Sequence, residues 1–196
     1  NLNQELISFG AYVRMAESYY YRNQIDSTFH YLDKITTLTD QLGIPFMVLL
    51  SNYYSGRYSY YNGDHKKSIT HFDFIIENIP PDFDLSMRVI PKAFNALNHH
   101  AIGQSEKSQG YIALIQEELK EGSTFEEMEY YHVLVNAFLV TNRTDDAKQY
   151  ILDAYDIIME QSFKIKDRTL RKAFLEKWVL EKFQEINTSD LTKGKT

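Results

Sequence analysis

Glu129 and His132 stand three residues apart, the spacing at which one helical turn offers a carboxylate and an imidazole on the same side. Carboxylate-bridged iron bundles use that pair, but they need a second copy and further carboxylates from facing helices. The chain has no second copy, so no metal is expected, and the two residues read as polar neighbours on one helix face. His99 and His100 are adjacent, point to different faces of a helix and do not form a chelating pair. Asn142-Arg143-Thr144 and Asn187-Thr188-Ser189 fit the glycosylation sequon, yet no secretion signal opens the chain. Phosphate loop, nucleophile elbow and zinc spacing are all missing from the sequence. Cysteine is absent, which removes disulfides, thiolate metal sites and a cysteine nucleophile. The expectation is a non-enzymatic chain with no cofactor.

The elements that carry these residues follow from composition and periodicity. The 196 residues suit one domain or a segment of a larger protein, and a first residue of Asn rather than Met suggests a processed or excised piece. Hydrophobic residues make up 43% and charged residues 24%, a globular balance. The formal charge of −6 argues against a general nucleic-acid binder, whose footprint would be basic. No apolar run approaches the ~20 residues of a membrane-spanning helix, so no membrane insertion is expected and the cytoplasm is the default location. Apolar residues recur at steps of three and four with no clear two-residue alternation. The expected class is all-α.

A repeat emerges from the stretch YYNGDHKKSITHFDFI, residues 60–75. Aligned on Ser68, its equivalents are Thr28, Ser108 and Ala147, separated by 40, 40 and 39 residues. Five positions earlier stand Asn23, Gly63, Gly103 and Asn142, residues that tolerate left-handed backbone. Four positions later come Leu32, Phe72, Ile112 and Ile151, and three further on Ile35, Ile75, Ile115 and Ala154. Twelve positions before the anchor lie Ala16, Gly56, Ala96 and the bulkier Val135. This is the pattern of a helical hairpin. A first helix stops at the left-handed residue, and a second returns with a small residue at the closest approach and its apolar stripe buried.

Those positions resemble the tetratricopeptide (TPR) repeat over residues 5 to 162. The resemblance implies a right-handed α-solenoid of about four antiparallel hairpins, at 5–41, 45–78, 84–120 and 123–162, because one hairpin cannot bury both its faces. A capping helix over 168–187 closes the array, and 188–196 reads as a disordered tail. The period departs from the usual 34 residues, and Tyr12, Asn52, Lys92 and Tyr131 replace the characteristic tryptophan. The long period is similar to the repeats in sensor regions of bacterial regulators such as MalT-like activators. Ala154–Glu176 also resembles the end of repeat regions in multidomain bacterial cyclases and signalling ATPases.

Local signals agree with these hairpins. Pro45 suits a first helical turn, and Ser123-Thr124-Phe125-Glu126 is a capping-box pattern. Pro91 either starts the third hairpin or kinks a helix beginning after Asp84. Asp167 suits the cap of a final helix bearing Leu170, Phe174, Trp178 and Ile186 on one face.

In TPR-like arrays the inward face of each first helix lines a concave groove for a peptide or partner helix. Carried over by position, the resemblance places Val13, Glu17 and Tyr20 there from the first unit. Tyr53, Arg57 and Tyr60 follow from the second, Ala93, Leu97 and His100 from the third, and Glu129, His132 and Asn136 from the fourth. Tyr and Arg suit recognition hot spots, and Arg57 suits pairing with a peptide carboxylate. The competing expectation is that many of the 15 tyrosines simply fill space between long helices. Charge is uneven, acidic from Glu117 to Glu129 and basic from Lys164 to Lys182, which reads either as two solvated faces or as a basic end that docks on an acidic surface. The implied role is a protein- or peptide-binding sensor or scaffold region of a bacterial signalling or transcription-regulatory protein. The alternative is a structural module that self-associates through its ends, using Trp178, Phe183 and their neighbours.

Overall fold

A computed structural model of the chain describes residues 2–119 and 128–176. Among these residues the protein is all-α, with helices α1 (Leu2–Tyr21), α2 (Ile25–Leu42), α3 (Pro45–Tyr61), α4 (His65–Asn78), α5 (Leu85–Ala101), α6 (Ser105–Glu118), α7 (Met128–Val140), α8 (Thr144–Lys164) and α9 (Arg168–Leu175). Helix α1 packs on α2, α3 on α4, α5 on α6 and α7 on α8, while α4 also lies against α5 and α7 against α5.

The turns within these pairs share one construction. Asn23, Gly63, Gly103 and Asn142 all have positive φ, between 57° and 79°. At each turn the left-handed residue donates its N–H three residues back, as Gly63 does to Tyr60 O at 2.9 Å. The next residue donates five back: Gln24 to Tyr19 O, Asp64 to Ser59 O, Gln104 to His99 O and Arg143 to Phe138 O, at 2.8–2.9 Å. This paired arrangement satisfies the last carbonyls of the outgoing helix, and it requires the left-handed residue that Gly or Asn adopts cheaply. The same residue that closes one helix accepts the first hydrogen bond of the next, as in Ser68 N to Asp64 O at 3.0 Å.

Five residues after each left-handed residue the returning helix buries Thr28, Ser68, Ser108 or Ala147, and the outgoing helix buries Ala16, Gly56, Ala96 or Val135 twelve positions before it. In the middle two pairs the serine hydroxyl donates across the helices, Ser68 Oγ to Gly56 O at 2.9 Å and Ser108 Oγ to Ala96 O at 2.8 Å. A methyl group added at Gly56 would sit 3.0 Å from the Phe72 ring, so the ring would have to shift to admit it. Leu32, Phe72, Ile112 and Ile151, with Ile35, Ile75, Ile115 and Ala154, are all buried, the stripe expected from the repeat.

Two apolar clusters result. A smaller one joins α1 to α3 through Phe9, Ala16, Leu32, Ile35, Met47 and Tyr58. A larger one runs from α3 to α8, and Leu50 and Tyr54 of α3 pack on both. Pro45 occupies the first turn of α3. Pro91 lies inside α5, whose cap is Asp84, so the longer of the two expected helices forms. Asp167 caps α9 by accepting from Leu170 N at 2.9 Å. The capping box at 123–126, the rest of the expected capping helix, and the 188–196 tail lie outside the described residues.

Two glycines test this packing in opposite senses. Gly56→Val is expected to lower stability by about 2 kcal/mol through overpacking against Phe72. Gly110→Ala, on the open face of α6 with nothing near the new methyl, should raise it by roughly 0.5–1 kcal/mol. Urea midpoints at constant slope measure both.

Candidate functional site

The positions expected to line a groove divide sharply by environment. His100 is exposed, and Val13, Glu17, Tyr20, Tyr60, His132 and Asn136 are half-buried. Tyr53, Arg57, Ala93 and Leu97 are buried, with Arg57 only 6% exposed. The expectation of an open aromatic–arginine face at Tyr53, Arg57 and Tyr60 therefore needs correction. Tyr53 stands edge-on to Phe72 and Tyr130, and Tyr60 to Phe94. The sequence did not show that α1, α5 and α7 come close enough to cover them.

What covers Arg57 is chemically specific. Its Nη2 donates to Glu129 Oε2 at 2.5 Å, joining α3 to the first turn of α7 across 72 residues of sequence. The Tyr61 hydroxyl donates to the other oxygen of the same carboxylate. The guanidinium also lies 5.4 Å from the Tyr58 ring centre and 6.0 Å from that of Tyr61, within cation–π range. Tyr20 of α1 completes the cluster, 4.9 Å from Tyr58 and 5.6 Å from Tyr61 between ring centres. One buried donor, Arg57 Nε, has no hydrogen-bond partner, and neither does the buried Tyr58 hydroxyl.

Electrostatics fix the protonation of this cluster. Burial works against charge on Arg57, but Glu129, with smaller contributions from Tyr53, Tyr58 and Tyr61, outweighs it and raises the guanidinium further. Burial raises the Tyr58 and Tyr61 phenols far above their ordinary range. Tyr20, Tyr21 and Tyr60 move the same way, also through burial. At neutral pH the site is thus one arginine cation inside a ring of neutral phenols. It can bind and orient a carboxylate; it holds no phenolate base.

The remaining candidates are not gathered into one site. Glu129 is committed to Arg57 and Tyr61, whereas His132 Nε2 lies 3.0 Å from Asn136 Nδ2, so the Glu-x-x-His spacing converges on no common point. No group of three potential metal ligands occurs among the described residues. His99 is buried, stacked on Tyr111 and bonded to Gln104 Oε1 at 2.8 Å, while His100 faces outward. Within the acidic run, Glu118 accepts from Lys92 Nζ at 2.8 Å and from Arg88 Nη1; 120–127 lie outside the described residues. In the basic run, Lys164 pairs with Glu160 and Lys172 with Glu176 on exposed helix faces.

Sequence reasoning missed a second polar network, on α5. Asn98 Nδ2 donates to Ser68 Oγ at 2.8 Å, and Asn98 Oδ1 lies 2.9 Å from His65 Nδ1. Asn95 Nδ2 and the Tyr111 hydroxyl both donate to Asp73 Oδ1 at 2.7 Å, so α4, α5 and α6 share one carboxylate. Burial, reinforced by Asp73, pushes Tyr111 up to about 12. The available signal was two asparagines three apart, Asn95 and Asn98, interleaved with Ala93, Phe94, Ala96 and Leu97.

Compared with family models, curated proteins and solved structures, the chain matches none. Among the described residues no helix is long and apolar enough to cross a membrane.

Removing Arg57 leaves a partly buried carboxylate and two phenols without their cation. Arg57→Met is expected to destabilise the protein by about 2–3 kcal/mol. Removal of the exposed Arg14 partner of Glu17 by Arg14→Ala should cost below ~0.5 kcal/mol. Chemical denaturation of the two variants side by side checks the contrast.

Proposed function

We propose that this chain is a TPR-like helical-repeat domain that binds a protein or peptide, without catalysis, as the sensor or scaffold region of a bacterial cytoplasmic regulator. The observation that carries this reading is the three-residue turn repeated at 40-residue steps at Asn23, Gly63 and Gly103 and again at Asn142. Units built this way stack into a right-handed solenoid, and their value to a cell lies in the extended surface they present. The inner face offers Glu17, Tyr20, Tyr60, His100, His132 and Asn136 around the Arg57 junction. Capture of a partner by the wild-type protein, lost in a Glu17→Lys/His100→Glu variant of unchanged helicity and stability, is the expected outcome of a quantitative pull-down. Retention of the same partner by the variant would sink the inner-face reading.

A second reading, self-association through the ends, has its own observation. Helix α8 exposes Leu152 (49%), Tyr155 (49%) and Phe163 (69%) along one stripe. By repeat position, Leu152 and Tyr155 correspond to Asp73 and Ile76 of α4, and Asp73 is where α4 receives α5. At the other end α1 exposes Ile7 (73%) and Met15 (38%). Solenoid ends with apolar outer faces are where further units or copies stack. If copies associate this way, sedimentation will show concentration-dependent mass for the wild type, and Tyr155→Glu/Phe163→Glu will sediment as a monomer. A wild-type monomer at all concentrations removes this reading.

A further inference from the structure

The inner face is occupied by the chain itself, and the occupant has the chemistry of a ligand. A carboxylate enters from α7, far along the sequence, and takes the Nη2 of a 94%-buried arginine and the hydroxyl of Tyr61. That carboxylate is not sealed in: the Glu129 side chain keeps 20% of its surface while Arg57 keeps 8%. The receiving side is built from α3, which is anchored in both apolar clusters. The giving side is the first turn of α7, where Glu129 and the Tyr130–Tyr53 ring contact reach α3. The receptor also has capacity to spare. Glu129 takes one guanidinium nitrogen, and the buried Nε beside it has no acceptor. An arginine fork can serve a carboxylate through two nitrogens. A buried donor without a partner costs free energy that such a carboxylate would recover.

We propose that Glu129 is an intramolecular latch. It holds the first turn of α7 over the Arg57–Tyr61 receptor, and a partner segment carrying a carboxylate engages that receptor only by displacing it. This rests on the inner-face binding reading and adds its regulation: the free protein is self-blocked, and a partner must compete with a tethered internal ligand. A tethered group acts at high effective concentration, so only a partner with additional contacts wins.

Glu129→Ala removes the atoms of one acetate ion, which makes acetate the probe. The experiment follows thermal unfolding of the full chain at fixed ionic strength while sodium acetate replaces sodium chloride up to about 200 mM. Binding to the native state alone raises the midpoint with ligand concentration. The expected result is a rise of roughly 2–4 °C for Glu129→Ala, and none for wild type or for Arg57→Met/Glu129→Ala. No acetate-specific rise in the single variant, or an equal rise in the double variant, overturns the receptor. Should Glu129→Ala fail to fold, Glu129→Gln keeps the shape and removes the charge. Amide exchange in residues 129–133 of that variant should then quicken about tenfold or more while α5 and α6 are unchanged, and unchanged exchange at 129–133 overturns the latch. Neither measurement uses a partner. Failure of the protein-binding reading therefore leaves both results standing, and failure of the latch leaves capture by other faces untouched.

Discussion

The fold depends on how closely two consecutive helices can approach, and that distance is set twelve residues apart in sequence by two small side chains. At Gly56 an added methyl would press on Phe72, and opposite it Ser68 bridges the helices with its hydroxyl on the Gly56 carbonyl. Close approach in turn lets a serine bond a carbonyl of the neighbouring helix, a contact that a bulkier pair would hold out of reach. It also sets where the i+4 and i+7 residues land. Phe72 and Ile75 have no exposure, and Phe72 stacks on Phe94 of α5 at 4.7 Å. The turn that precedes each contact is its complement. A positive-φ residue lets the chain reverse in three residues without leaving helix-end carbonyls unpaired.

Local rules of that kind repeat, and what repeats was legible. The four left-handed positions, the small pairs and the buried stripe followed from spacing alone, since each is decided within about twenty residues of chain. The helix boundaries at Pro45, Asp84 and Asp167 were equally local, each resting on one capping or proline effect. What sequence spacing left open was depth. Position along a helix says which way a side chain points, and says nothing of how near the next helix on that side comes. Arg57, Tyr53 and Leu97 were expected to line a groove, and all three are buried, Arg57 against Glu129 of α7 and Tyr53 and Leu97 within the larger apolar cluster. A contact spanning 72 residues has no local signature. The one available hint was an arginine in the middle of a tyrosine run, a charge with nothing nearby in sequence to pair with it.

The two kinds of polar contact in the interior differ in what they contribute. Serine–carbonyl bonds and the Asp73 network are short, neutral or once-charged, and tie consecutive helices already packed by apolar contact. Arg57–Glu129 instead joins helices 72 residues apart in sequence, and it buries a guanidinium against a carboxylate that stays in part exposed. Replacing such a pair with apolar groups of equal volume is often neutral or stabilising. Stability is therefore a poor reason for its presence.

That asymmetry bears on how the molecule can change shape. Helix α3 is held on both sides by apolar surface whose loss is costly in any conformation. In the first turn of α7, Glu129 is still in part exposed and Tyr130 meets Tyr53 edge-on, while Tyr131 is buried in the larger apolar cluster. A charge pair of this kind responds to chemistry that apolar packing ignores, namely a competing anion supplied from outside. An exchangeable charge contact of this kind, added to the apolar cluster that α3 and α7 share, is a point at which a ligand can favour one of two states. The tyrosines reinforce it. With the hydroxyls held protonated by burial, Tyr61 acts as a neutral donor and Tyr58 and Tyr61 present ring faces to the guanidinium.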